Sequence, residues 1–170
     1  DEEQLLIFLE KFAALQGKKI LVHGGGKIAT RLAEELGIAA QLVEGRRVTD
    51  AKMLDVVTMV YAGLTNKKIV ASLQKYGCDA VGLSGADGNV IKAVKRPVRE
   101  IDYGFVGDIL VDSVNTLSIK KFLEAGFTPI FSAITHNGMG QLLNTNADTI
   151  ASALAITLSK TYETSLIYCF

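Results

Sequence analysis

Apolar residues recur along this chain with two periods, and the alternation between them predicts the elements. From Gln4 to Leu15, the positions Leu5, Leu6, Phe8, Leu9, Phe12 and Leu15 fall at helical spacing, and Gly17 ends the run. Ile20-Leu21-Val22 is too short for a helix and suits a strand buried on both faces. His23-Gly24-Gly25-Gly26 follows, then a helix from about Lys27 to Leu36 that Gly37 stops. Asp50 is a good N-cap for a helix through Met53, Val56, Val57 and Val60. Thr65 or Asn66 caps another, running through Ile69, Val70 and Leu73 to Gly77.

The pattern then repeats. Ala80 to Leu83 reads as a strand, Ser84 to Asn89 as a loop, and Val90 to Val98 as one or two strands broken by Pro97. Ser113 opens a helix to Ala125, Thr128 to Ile134 is the next strand, and Asn137-Gly138 signals a hairpin. Ala147 to Ser159 is a strongly apolar helix and Ser165 to Phe170 a final strand. Strands alternating with helices at these spacings predict an α/β fold: a layered sandwich on a mainly parallel central sheet, with β-hairpin embellishments, as a single domain over residues 1–170. The chain opens on a helix and stops inside an apolar strand with no turn after it, which predicts a piece of a longer chain.

Composition narrows the class. Lys and Arg number 18 and Asp and Glu 18, a formal net charge of zero, which argues against a protein devoted to coating nucleic acid or an anionic membrane. No apolar run approaches the length of a membrane span, and the acidic start Asp1-Glu2-Glu3 is not a secretory signal. Cys78 and Cys169 lie far apart with no CxxC, which reads as two reduced thiols in a cytoplasmic protein.

The glycines carry the chemistry. A strand, three consecutive glycines and then a helix present bare backbone N–H groups at the positive end of a helix dipole, an arrangement that favours phosphate. The triplet matches neither GxGxxG nor GxxxxGK[ST], so dinucleotide and P-loop readings are weak. In Glu44-Gly45-Arg46-Arg47-Val48-Thr49-Asp50, an arginine fork could hold a carboxylate, although a solvated basic turn is the plainer reading of those residues alone. Asn144-Thr145-Asn146-Ala147-Asp148 places three short polar side chains before a helix, more than one N-cap needs. The loop from Asp102 to Asp108 suggests no chemistry by itself, and Asp87 and Asp108 lack the spacing of a metal site.

In this order, His23-Gly24-Gly25-Gly26, Gly45-Arg46-Arg47-Val48-Thr49, Gly104-Phe105-Val106-Gly107-Asp108 and Asn144-Thr145-Asn146-Ala147-Asp148 resemble the N-acetylglutamate kinases of the amino-acid kinase superfamily. The resemblance implies a three-layer kinase fold and ATP-dependent phosphorylation of the γ-carboxylate of an N-acylglutamate, a step of arginine biosynthesis. ATP would enter with Mg2+ as a substrate complex, with no metal held by the protein, and the chain would form a homodimer in the cytoplasm. Gly25 and Gly26 would contact the acyl amino acid and the phosphoryl group in flight, with Gly24 shaping that phosphate loop. Arg47, rather than Arg46, would grip the α-carboxylate, and Asn144 would hold the substrate. Asp148 would organise catalytic lysines absent from this chain, as is the family's N-terminal KxGG motif. Most of the nucleotide-binding half is also absent, which leaves a substrate-binding and dimerisation domain. The alternative is a non-catalytic module that binds an acidic ligand or regulates, retaining only the substrate half. From the residues alone, a second apolar face on the helix from Asp50 to Ala62 also points to a dimer.

Overall fold

The computed structural model describes residues 2–168. Its centre is a three-stranded parallel sheet in the order β1-β7-β4, formed by β1 (Leu21–His23), β4 (Ala80–Leu83) and β7 (Thr128–Ser132). Every residue of β7 is buried. Successive side chains leave a strand on opposite faces, and β7 shows the consequence. Ile130 joins an apolar cluster with Leu9 and Phe12 of α1 (Glu2–Ala14) and Ile69 and Leu73 of α4 (Asn66–Lys75). Its neighbour Phe131 joins the larger cluster, which includes Ile119 of α5 (Thr116–Glu124) and Ile150 of α6 (Ala147–Leu158). The sheet thus lies between two helical layers, as the sequence pattern predicts. The larger cluster runs on into α2 (Gly26–Glu35) and α3 (Ala51–Thr58).

Three hairpins decorate this frame: β2 (Leu42–Val43) with β3 (Arg46–Arg47), β5 (Val94–Lys95) with β6 (Gly107–Asp108), and β8 (Ile134–His136) with β9 (Leu142–Asn144). The first turns on Glu44 (φ 50°) and Gly45 (φ 74°), the two left-handed residues that a tight two-residue turn requires.

Several boundaries differ from those read in the sequence. Thr65 caps nothing: its backbone is helical, and the chain runs from α3 through a π-helical segment (Met59–Thr65) straight into α4. Helix α5 starts at Thr116, because Asn115 accepts from the Ser118 amide, and not at Ser113. The strand expected over 128–134 divides, β7 ending at Ser132 and β8 turning away to pair with β9. Asn137 does turn that hairpin, but through a longer loop, with its Oδ1 accepting from the amides of Met139 and Gln141. No strand forms over 165–168, and the rest of that expected strand, with Cys169, lies outside the described residues. Cys78 is buried, as expected, with its thiol donating to Thr128 Oγ1.

The helix from Asp50 to Ala62 shows no second unpartnered face. Met53, Leu54, Val56, Val57, Val60 and Tyr61 are all buried within the chain, and Met59 is exposed.

Candidate functional site

The hairpin β2–β3 separates the two arginines. Side chains alternate along a strand, so Arg46 and Arg47 must point opposite ways. Arg46 is exposed, whereas Arg47 is only 9% accessible. Its Nη2 donates to the Gly26 carbonyl at 3.0 Å and to Thr30 Oγ1 at 2.8 Å, both in the first turns of α2. Nη1 faces the Met53 sulfur at 3.9 Å. Among the described residues, no carboxylate pairs with Arg47, and its Nε–H meets no acceptor. A guanidinium carries five N–H donors and a fixed charge. The donors that the chain leaves unpaired are not sealed from solvent, so they stay open to an anion.

The glycine loop lies beside this group, entering α2 with Gly25 at its N-cap. None of Gly24, Gly25 and Gly26 adopts a left-handed backbone, so conformational freedom does not explain the triplet. Close approach explains one member: a Cβ on Gly25 would stand 2.8 Å from Cδ1 of Tyr61 and 3.3 Å from Thr65 Oγ1. At Gly24 a Cβ would meet nothing within 4 Å, so the chain itself makes no demand for glycine there. No acceptor among the described residues meets the Gly25 N–H.

Asn144 joins the same group. Its Nδ2 donates to Thr49 Oγ1 at 2.9 Å, and Thr49 Oγ1 donates to the Arg47 carbonyl. Gly26, Arg47 and Asn144 are therefore linked by hydrogen bonds, Asn144 through Thr49 to the Arg47 backbone, and Gly25 adjoins Gly26 at the N-cap of α2. The Gly104 loop, which carried no chemistry in the sequence, is the filler between two of these parts. Phe105 N–H donates to the Thr49 carbonyl, and the Phe105 carbonyl accepts from the Asn144 amide. A Cβ on Gly104 would collide with the Thr49 backbone. Past the loop, Asp108 is held by a two-pronged contact from Arg96, whose pKa this carboxylate raises.

The polar residues before α6 divide their work. Asn146 caps the helix by accepting from the Thr149 amide, and Thr145 turns inward onto Thr135 Oγ1 at 2.7 Å. Asp148 sits in the first turn of α6, exposed, with no ion pair among the described residues. The structure does not join it to the Arg47 group.

The sequence does not single out Tyr61, Thr30 or the side-chain role of Asn66, whereas His23 is the hydrogen-bonded structural histidine that a lone His at a strand end predicts. Asn66 carries the one usable signal, a polar residue amid an apolar helical pattern, but its position equally suits a cap. It is 1% accessible, and its Nδ2 donates to the Ile130 carbonyl at 2.9 Å and to His23 Nε2 at 3.0 Å. His23 Nδ1 contacts the Gly24 carbonyl at 2.8 Å, and burial pushes its pKa below the ordinary value.

Residues 1–167 match the Amino acid kinase family. The chain belongs to that family. Among its curated relatives, acetylglutamate kinase of Bacteroides thetaiotaomicron is 54% identical over 170 residues, all of this chain and 65% of that protein. Acetylglutamate kinase of Methanopyrus kandleri is 41% identical over 156 residues, 89% of this chain and 63% of that protein. The chain thus spans less than two thirds of the length of these relatives. Of solved structures, smu.665 from Streptococcus mutans superposes with a TM-score of 0.79 at 28% identity, over 91% of this chain and 61% of that one. N-acetylglutamate synthase from Neisseria gonorrhoeae gives 0.72 at 22% identity, over 92% of this chain and 36% of that one, a likeness of fold. Among the described residues of this family member, no helix is long and apolar enough to cross a membrane.

Proposed function

We propose that this chain holds an N-acylglutamate, N-acetyl-L-glutamate first among them, for phosphorylation of its γ-carboxylate by ATP, within arginine biosynthesis. The observation that carries the reading is Arg47: a largely buried guanidinium with spare donors and, among the described residues, no carboxylate paired with it. An α-carboxylate of a bound amino acid supplies the missing charge. Asn144 lies within the same hydrogen-bonded group and suits an amide or carboxylate of that ligand. The similarity to acetylglutamate kinases supports the same reading.

The physical logic fits the reaction. A carboxylate nucleophile is already ionised, so no protein base is required. The site's task is to offset the repulsion between two anions and to hold them in line. Gly24, Gly25 and Gly26 at the start of α2 offer N–H donors and the positive end of a helix dipole for the phosphoryl group. The open space at Gly24 supports this, since nothing among the described residues requires a bare backbone there. Asp148 belongs to the reading as an organiser of catalytic lysines supplied from outside these residues. ATP enters with Mg2+ as substrate. The chain is a substrate-binding domain, the enzyme a cytoplasmic homodimer, and dimerisation rests on the family resemblance now that the α3 face is filled from within.

The test is chemical. The full-length protein with ATP, Mg2+ and N-acetylglutamate should form an acyl phosphate, trapped by hydroxylamine as the hydroxamate. Binding of N-acetylglutamate without hydroxamate would favour the non-catalytic module instead.

A further inference from the structure

The imidazole of His23 stands between the phosphate-loop backbone and the buried amide of Asn66, and its two nitrogens meet opposite kinds of partner. On one side is the Gly24 carbonyl, which can only accept, so Nδ1 must carry the proton. On the other is Asn66 Nδ2, and its orientation is fixed independently. The amide nitrogen faces the Ile130 carbonyl, another obligate acceptor, while Oδ1 accepts from the Lys67 ammonium at 3.2 Å. Both Nδ2 hydrogens are therefore committed, one to Ile130 and one to His23 Nε2 at 3.0 Å. Nε2 must then be the acceptor, which defines a neutral imidazole in a single tautomer.

This sets the direction of the loop. In a trans peptide the C=O and the following N–H point opposite ways, and the described chain has no cis peptide bonds. Drawing the Gly24 carbonyl onto His23 turns the Gly25 N–H away from the imidazole, and no acceptor among the described residues takes it. Asn66 is itself locked against the sheet, because a Cβ on Gly82 of β4 would collide with its side chain.

We infer that His23, held as the neutral Nδ1–H tautomer by Asn66, is a positioning residue that orients the Gly24–Gly25 peptide so that the Gly25 N–H faces the transferred phosphoryl group. The inference rests on the proposed phosphoryl transfer for its catalytic consequence and on the hydrogen-bond chain alone for its geometry. Protonating His23 would set an N–H against the Asn66 N–H and break the chain. Lys67 is the charged group on this side. Across the sheet His23 is registered with Ser132, the loop faces Tyr61, and among the described residues no carboxylate pairs with the imidazole.

Two substitutions divide the imidazole into its halves. His23→Asn retains a donor near the Nδ1 position and loses the acceptor for Asn66, whereas His23→Gln retains a polar atom near Nε2 and loses the donor to Gly24. In the full-length enzyme, His23→Gln should lower kcat by about 10²-fold with the KM for N-acetylglutamate little changed, since a misdirected donor costs most at the transition state. His23→Asn should recover at least half of that loss on a logarithmic scale and should lack the acid limb of the wild-type kcat profile, which falls below the ordinary histidine value of 6.5. Imidazole and amide 15N NMR supplies a readout independent of turnover: an Nδ1–H tautomer at neutral pH, and a Gly25 amide resonance that moves in His23→Gln more than in His23→Asn. Equal kcat losses in both variants, an Nε2–H tautomer, or an unmoved Gly25 amide would overturn the inference. A wild-type enzyme that transfers no phosphate would sink the proposed function, leaving the NMR results to decide the positioning.

Discussion

The ring of Tyr61 closes on the glycine loop so tightly that a Cβ on Gly25 would lie 2.8 Å from its Cδ1 and 3.1 Å from its Cε1. Tyr61 sits in the π-helical segment, a widened turn that interrupts an otherwise continuous α-helix, a feature often found at functional sites. Gly25→Ala should therefore do two separable things. Overpacking against Tyr61 should cost about 1–3 kcal/mol of stability. Displacement of the Gly25 N–H should lower kcat per folded molecule by roughly 10²–10³. Adding Tyr61→Leu should restore much of the denaturant midpoint without restoring kcat. Recovery of both together would reduce the loop to a packing feature.

A second expectation concerns Asn66 and Gly82. Asn66→Ala strands the Ile130 carbonyl and His23 Nε2, a loss of about 1–3 kcal/mol. Gly82→Ala drives a methyl into the space that Asn66 occupies. Because one side chain is responsible for both effects, the double variant should lose clearly less stability than the sum of the singles. Additive denaturant midpoints would contradict this packing.

Acid should weaken the fold through His23. Burial lowers its folded pKa below the unfolded value of 6.5, so the unfolded chain binds the proton more readily. Stability contributed by the neutral imidazole is then fully present above pH 6.5 and is lost as pH falls from there through the folded pKa. Urea unfolding at a series of pH values should show this slope in the wild type and a flatter one in His23→Asn. Identical slopes would place the acid sensitivity elsewhere.

The sequence carried local rules well and tertiary partners poorly. Asp50 and Asn146 act as the caps their residue types predict, accepting from the amides of Met53 and Thr149. Strand–glycine–helix around Gly24 to Gly26 was readable because backbone and spacing define it. By contrast, Thr65 looked like a helix start, and only packing against the glycine loop reveals that the helix continues through a π turn. The Gly104 loop carried no local signal because its role is to fill the gap between Thr49 and Asn144, residues 95 positions apart in the chain. The apolar excess of α3 suggested a partner surface, yet the chain's own core absorbs it. Periodicity counts apolar positions and does not say whose core they enter.

The central claim is that Arg47 is the anchor for a substrate carboxylate, and calorimetric titration of N-acetylglutamate tests it most directly. Arg47→Ala removes a buried, charge-assisted contact and should weaken binding by about 2–4 kcal/mol, roughly 30- to 10³-fold. Arg46→Ala, on the exposed side of the same strand, should change affinity by no more than about 0.5 kcal/mol. Equal losses in the two variants, or unaltered binding in Arg47→Ala with the fold intact by circular dichroism, would contradict the account.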